Sequence, residues 1–289
     1  MLRLLCWTPA STALLHRASP TFDGGGFIDE RRLRERLQSL QQAKIVRTWP
    51  MAQAGGGLQN YYKLTPLGFA FVGGRAAAQP SRAFFAEVSP SLLFHTFRLA
   101  EVIVETLRAC HANHIHIDRF FGENGLSIVA GDRQVQPDCF FRLRSEGRSF
   151  NLAIEIDNST ASVDSHAVNS IRQKLTTYNA YQELVLNQWH QAGKSWERPR
   201  FRVVFLTPSD ARAHNILALA AEGATRRARR LVYAATFDVF VADPDRLSAP
   251  IFLDHFGHWQ SLVDLHPEVS PVKPPVRLSR LVDCLLTAC

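Results

Sequence analysis

Residues 150–157 read Phe150-Asn151-Leu152-Ala153-Ile154-Glu155-Ile156-Asp157. The apolar run predicts a strand that ends in acids. Side chains on a strand alternate between faces, so Glu155 and Asp157 share one face. Upstream, Gln136-Pro137-Asp138 opens another apolar segment, and adjacent strands bring Asp138 close to Glu155. Clustered carboxylates repel one another unless a cation joins them. Hard cations such as Mg²⁺ prefer oxygen ligands, and a metal there activates water and neutralises charge on a phosphodiester. Asp138, Glu155 and Asp157 are therefore the candidate metal ligands, Mg²⁺ is the candidate cofactor, and Glu123 is a fourth acid nearby in sequence. The competing reading of the same acids is a salt-bridge network at a strand end.

Working outward, residues 165–188 read as a helix. On it Ile171, Lys174, Leu175, Tyr178 and Tyr181 recur at helical spacing and share one face. Residues 201–206 form a second buried strand, a helix runs from about 210 to 231, and 236–241 supply a last strand. Before the acids come an amphipathic helix over 91–110, a strand over 115–121, and a hairpin of two strands at 126–131 and 138–144. The order predicts a mixed α/β sheet flanked by helices over 91–256. A Gly-, Ala- and Pro-rich linker at 76–90 precedes it, and a proline-bearing tail at 257–289 follows.

The first 75 residues differ in charge. They hold ten Lys/Arg against four Asp/Glu, and so carry six of the seven net positive charges of the 289-residue chain. A short helix is read over 8–19, a turn at Asp23-Gly24-Gly25-Gly26, then the clearest helix of the chain over 27–43. Leu33, Leu37 and Leu40 mark its buried side, and arginines lie on the others. Two short strands around Gly55-Gly56-Gly57 make a hairpin, and Thr65-Pro66 opens another helix. Helix, turn, basic helix and hairpin in that order make a winged helix-turn-helix, whose second helix enters the DNA major groove. The expected DNA contacts are Arg31, Arg32, Arg34 and Arg36 on the helix, with Arg47 and Lys63 on the hairpin. Double-stranded DNA is the expected partner.

These stretches carry two resemblances. Pro137-Asp138, a strand, a turn near Gly147, and then Glu155-Ile156-Asp157 resemble the PD-(D/E)XK nuclease core, a restriction-endonuclease-like fold. Glu155, Asp157 and Thr160, followed by Lys174-Leu175, Tyr178 and Tyr181 behind a winged helix carrying Tyr62-Lys63-Leu64-Thr65-Pro66-Leu67-Gly68, resemble the replication-relaxation family of plasmids and mobile elements. That resemblance implies an accessory protein for replication or mobilisation, with a relaxase or replication protein as a further partner. The nuclease-core resemblance implies a catalytic set of Asp138, Glu155, Asp157 and Lys174. One departure bears on activity. Active nucleases of this fold usually carry a lysine two residues after the glutamate, and here that position is Asp157. Lys174 is the replacement cation, able to stabilise developing negative charge if it reaches the acids.

Composition narrows the remaining choices. Hydrophobic residues make up 46% and charged residues 20%, the balance of a folded globular protein. No apolar run is long enough to span a membrane. Thr8, Pro9 and Ser11 interrupt the N-terminal apolar stretch, so a cytoplasmic location is expected. The five cysteines are odd in number and without CxxC spacing, which argues against a disulfide framework or structural zinc. Cys110, His111, His114 and His116 crowd together without the spacing of a usual zinc site, and Arg226, Arg227, Arg229 and Arg230 form a second basic cluster. Three functions fit this pattern: a DNA-binding accessory factor of a mobile element, a Mg²⁺-dependent endonuclease directed by its winged helix, and a winged-helix transcriptional regulator.

Overall fold

The computed structural model describes residues 1–52, 56–74, 79–159, 163, 170–193, 201–224 and 230–264. Gly55, Arg75, Thr160, Arg226, Arg227, Arg229 and the tail beyond 264 lie outside the described residues. The chain is a mixed α/β protein that divides into two compact units, Met1–His111 and Ala112–Cys289.

In the first unit α1 (Leu2–Leu5), β1 (Ala10–Ser11) and α2 (Thr12–Ala18) precede α3 (Glu30–Gln42). A hairpin of β2 (Val46–Ala52) and β3 (Leu58–Leu64) follows, then α4 (Pro66–Gly73), α5 (Arg82–Phe85) and α6 (Pro90–Ala112). The expected helix over 8–19 begins only at Thr12. Ala10 and Ser11 instead pair antiparallel with Tyr62 and Tyr61, completing a three-stranded sheet in the order β1-β3-β2. Ser11 then caps α2 by accepting the Leu14 N–H. Asp29 caps α3 in the same way through the Arg32 N–H, and Leu33 and Leu37 are fully buried on its inner side.

The segment Thr65-Pro66-Leu67-Gly68 has a packing reason. Thr65 caps α4 by accepting the Gly68 N–H at 3.0 Å and donates to the Lys44 carbonyl at 2.6 Å. A Cβ at Gly68 would lie 2.0 Å from the Ile45 carbonyl oxygen, so only glycine lets α4 approach the start of the hairpin this closely.

Residues 79–90 and α6, which the sequence reading separates from the N-terminal domain, belong to the first unit. Buried polar groups hold them there. The Tyr61 hydroxyl accepts the Val88 N–H at 3.0 Å, and the Phe97 ring meets Tyr61 edge-on. Arg17 donates to Glu101 at 2.6 Å and lies 3.6 Å from buried Glu105, which Arg108 also pairs.

The second unit is built on a seven-stranded sheet in the order β12-β11-β10-β9-β8-β7-β4. Its elements are β4 (His116–Phe121), β5 (Ile128–Ala130), β6 (Arg133–Val135), β7 (Cys139–Ser145), β8 (Arg148–Ile156), α7 (Ile171–Gln191), β9 (Phe201–Thr207), α8 (Asp210–Glu222), β10 (Val232–Thr236), α9 (Phe237–Ala242), β11 (Phe252–Asp254) and β12 (Trp259–Gln260). Strands β8, β9 and β10 run parallel, and the others pair antiparallel. Two parallel steps demand crossovers, which α7 and α8 supply. Their inner faces bury Leu175, Tyr178, Ile216 and Ala220 against Ala153, Val203, Phe205 and Ala234.

Three expectations are corrected here. The segment 126–131 does not pair with 138–144. Instead β5 closes a small hairpin with β6, and β7 inserts between β4 and β8. Residues 236–241 form α9 rather than a strand, because Thr236 caps a helix by accepting the Val239 N–H and Asp238 sits in its first turn. The strand lies just before, at Val232–Thr236. The helix expected to reach 231 ends at Gly223.

Candidate functional site

The C-terminal end of β8 is where the second unit gathers its titratable groups. In the β7–β8 register Cys139 faces Ile154, so Asp138 arrives beside Glu155. Asp138 Oδ2 accepts the Ile156 N–H at 2.6 Å. Glu155 is 2% exposed. Its Oε1 accepts the Tyr178 hydroxyl at 2.6 Å, and its Oε2 accepts the Lys174 ammonium at 2.5 Å. Lys174 and Tyr178 are four apart on α7, one turn of the face turned toward the sheet. Sequence reading thus brings Asp138, Glu155 and Lys174 to one place, and the structure adds Tyr178 to them.

Burial pushes the Glu155 carboxyl up to about 7, the Asp138 charge adds to the rise, and Lys174 opposes it. Burial works against the Lys174 ammonium, but Glu155, Asp138 and Asp157 outweigh it and hold its pKa above the usual lysine value. The Tyr178 phenol is driven well above its ordinary value, first by burial and then by the Glu155 charge. Cys139, fully buried beside the acids, is driven up first by burial and then by the Asp138 and Glu155 charges, so it is a protonated thiol and not a nucleophile.

Asp157 has a cation of its own. Its two oxygens take a bidentate pair from Arg212 on α8, at 2.6 Å from Nε and 3.1 Å from Nη2, and Oδ1 also accepts the Ser159 N–H. Arg212 escapes the sequence reading because it comes from 55 residues further on, with no motif around it. Glu123 is exposed in the turn after β4.

A divalent cation does not fit these groups as they stand. Both Glu155 oxygens and both Asp157 oxygens are already engaged by donors of this chain. Among the described residues no three His, Cys, Asp or Glu side chains form a group able to hold a metal ion. In this arrangement Lys174 and Arg212 supply the positive charge that clustered carboxylates require. The histidines His111, His114 and His116 form no such group either, and burial pushes the Cys110 thiol up to about 12.

In the first unit, Arg31, Arg32, Arg34 and Arg36 are all exposed on α3. Two of them are tied within the helix: Arg31 to Glu35 at 3.1 Å and Arg34 to Glu30 at 2.5 Å. Among the described residues Arg32 and Arg36 have no carboxylate partner, so their guanidinium groups face solvent. Arg47 is exposed on β2, with its guanidinium 5.1 Å from the centre of the Trp49 ring.

Lys63 departs from expectation. It is 6% exposed, and its ammonium donates to the Ala86 carbonyl at 2.6 Å and the Ala83 carbonyl at 3.5 Å. Burial lowers its pKa. It fastens the chain after α5 to the hairpin, and its ammonium is engaged there by backbone carbonyls. Lys63→Met leaves those carbonyls unmatched, so a loss of about 1–3 kcal/mol is expected. Urea unfolding measures that loss.

No helix among the described residues is long and apolar enough to cross a membrane. No curated protein and no solved structure matches the chain. The family model described as Replication-relaxation does match, over residues 6–195. That span takes in the exposed arginines of α3, the Thr65–Gly68 cap and the Asp138, Glu155, Lys174 and Tyr178 cluster, and the chain belongs to the replication-relaxation family.

Proposed function

We propose that this protein is a DNA-binding accessory factor for replication or mobilisation of a plasmid or other mobile element. Its first unit acts as a winged helix, with α3 as the reading helix and the β2–β3 hairpin as the wing. Its second unit is a nuclease-like fold that does not cut. The observation that carries the DNA-binding reading is the pair of solvent-facing guanidinium groups on α3, Arg32 and Arg36, four residues apart on one helix. A helix of that kind docks in the major groove with its cations on the phosphates. Family membership supports the mobile-element role. Anisotropy titration of a labelled duplex with the full chain tests the reading. Binding by the unaltered protein that weakens in the Arg32→Glu/Arg36→Glu variant is expected, and no binding by the unaltered protein refutes it.

One observation favours a second reading, a Mg²⁺-dependent endonuclease. Lys174 reaches Glu155 from α7 and so replaces the lysine missing at position 157. The internally neutralised carboxylates weigh against it. Supercoiled plasmid incubated with the protein and Mg²⁺ or Mn²⁺ is expected to stay supercoiled. Nicking that disappears in Glu155→Ala would reverse the preference.

A further inference from the structure

We propose that the second unit carries a DNA-phosphate contact of its own, formed by Arg148, Arg202 and Arg230 at the end of the sheet remote from the carboxylates. Arg148 is the first residue of β8 and Glu155 lies seven residues on, about 23 Å at ~3.3 Å per residue. Arg202 is the second residue of β9, and Arg230 precedes β10 by two residues. In the parallel register Phe201 lies beside Asn151 and Val203 beside Val232, so Arg202 and Arg230 sit at nearly the same level and Arg148 lies further out along β8.

Strand alternation sets the face. Ala153, Val203 and Val232 point to the core under α7 and α8, so Phe150, Arg202 and Tyr233 lie on the opposite side. There the guanidinium carbons of Arg148 and Arg202 stand 5.6 and 5.5 Å from the Phe150 ring centre, and Arg202 is also 5.6 Å from that of Tyr233. Both rings are buried, so they serve as a floor on which planar cations stack. The three arginines belong to three neighbouring strands ~4.8 Å apart, with Arg148 displaced further along β8, a spread longer than a single anion needs.

An arginine stem can cover apolar surface while its charged head stays in water, and acids close by offset that charge. Here the balance is incomplete. Arg230 pairs with buried Asp254 at 3.0 Å, and Arg148 lies 4.0 Å from an Asp264 oxygen while donating to that residue's carbonyl. Among the described residues Arg202 has no carboxylate partner, and its Nη1 is buried without a hydrogen-bond acceptor. Arg148 and Arg230 remain 38% and 47% exposed. Three like charges held together with two counter-charges leave a local surplus, and a polyanion is the ligand that relieves it.

This inference rests on the DNA-binding reading, and one salt titration separates the two. The full chain is titrated with a fluorescein-labelled duplex at increasing NaCl for the unaltered protein, Arg148→Gln, Arg202→Gln and the double variant. Each single change is expected to flatten the slope of log K against log salt by about 1, and the double change by about 2. Arg148 has the weaker counter-ion contact, so Arg148→Gln decides the matter if Arg202→Gln fails to fold. A slope unchanged in Arg148→Gln, while Arg32→Glu/Arg36→Glu still weakens binding, overturns this contact and leaves the accessory-factor reading standing. Absence of binding by the unaltered protein overturns both.

Discussion

Lys174→Met is expected to destabilise the second unit by about 3–5 kcal/mol at pH 8, because it strands a buried carboxylate without its cation. Glu155 is 2% exposed, and after the substitution only the Tyr178 hydroxyl would remain on its side chain. The penalty depends on pH with a definite sign. Burial already lifts the folded Glu155 pKa from 4.5 to about 7, and loss of Lys174 removes the charge that restrains it. A carboxyl whose folded pKa is raised favours the folded state below its unfolded pKa, and that favour is lost as pH climbs through the folded value. The Lys174→Met variant should therefore recover much of its stability near pH 5, where Glu155 is protonated, and lose it progressively toward pH 8. Combining it with Glu155→Gln should remove most of the pH dependence, since a neutral amide is not ionised at either pH. Urea midpoints at the two pH values measure this directly. Equal loss for Lys174→Met at pH 5 and pH 8 would show that the ammonium is not the partner of the Glu155 charge.

Arg32→Glu/Arg36→Glu is expected to weaken duplex binding at least about tenfold at low salt. It should also reduce the salt slope by about 2, since each arginine that neutralises a phosphate displaces about one counter-ion. A control is built into the same helix. Arg31 and Arg34 are equally exposed but already paired with Glu35 and Glu30. Such i,i+4 pairs contribute only ~0.3–0.5 kcal/mol to the helix, so Arg31→Gln and Arg34→Gln should leave the fold intact. Because each removed cation also frees a carboxylate, these two changes report helix charge, whereas the Arg32/Arg36 pair reports docking on phosphate. Equal weakening by all four substitutions would point to a diffuse field rather than a docked helix, and no change in any would remove α3 from the interface.

Local chemistry carried most of the secondary structure. Asp29 before an arginine-rich amphipathic run, Thr65-Pro66 before α4, and the apolar strand closing on Glu155 and Asp157 each name their element through capping or alternation. The misreadings came where local and tertiary preferences compete. Thr236-Phe237-Asp238-Val239-Phe240-Val241 has strand composition, yet a threonine cap and an acid in the first turn make it helical. The β5–β6 hairpin took the partner expected for β7, because pairing between strands is a long-range choice that composition does not encode.

From residues alone it followed that a basic N-terminal module precedes an α/β sheet, and that Asp138 and Glu155 meet on neighbouring strands with Lys174 on the helix that follows. Short-range periodicity and strand adjacency suffice for those conclusions. Folding alone settled what each charge touches. Asp157 looked equivalent to Glu155, but Arg212 claims it from the next crossover helix. Lys63 looked like a hairpin cation, but it is spent on the carbonyls of Ala83 and Ala86. The physical reason is that burial makes an ionised group take a partner, and which partner lies within ~3 Å depends on chain segments far apart in sequence.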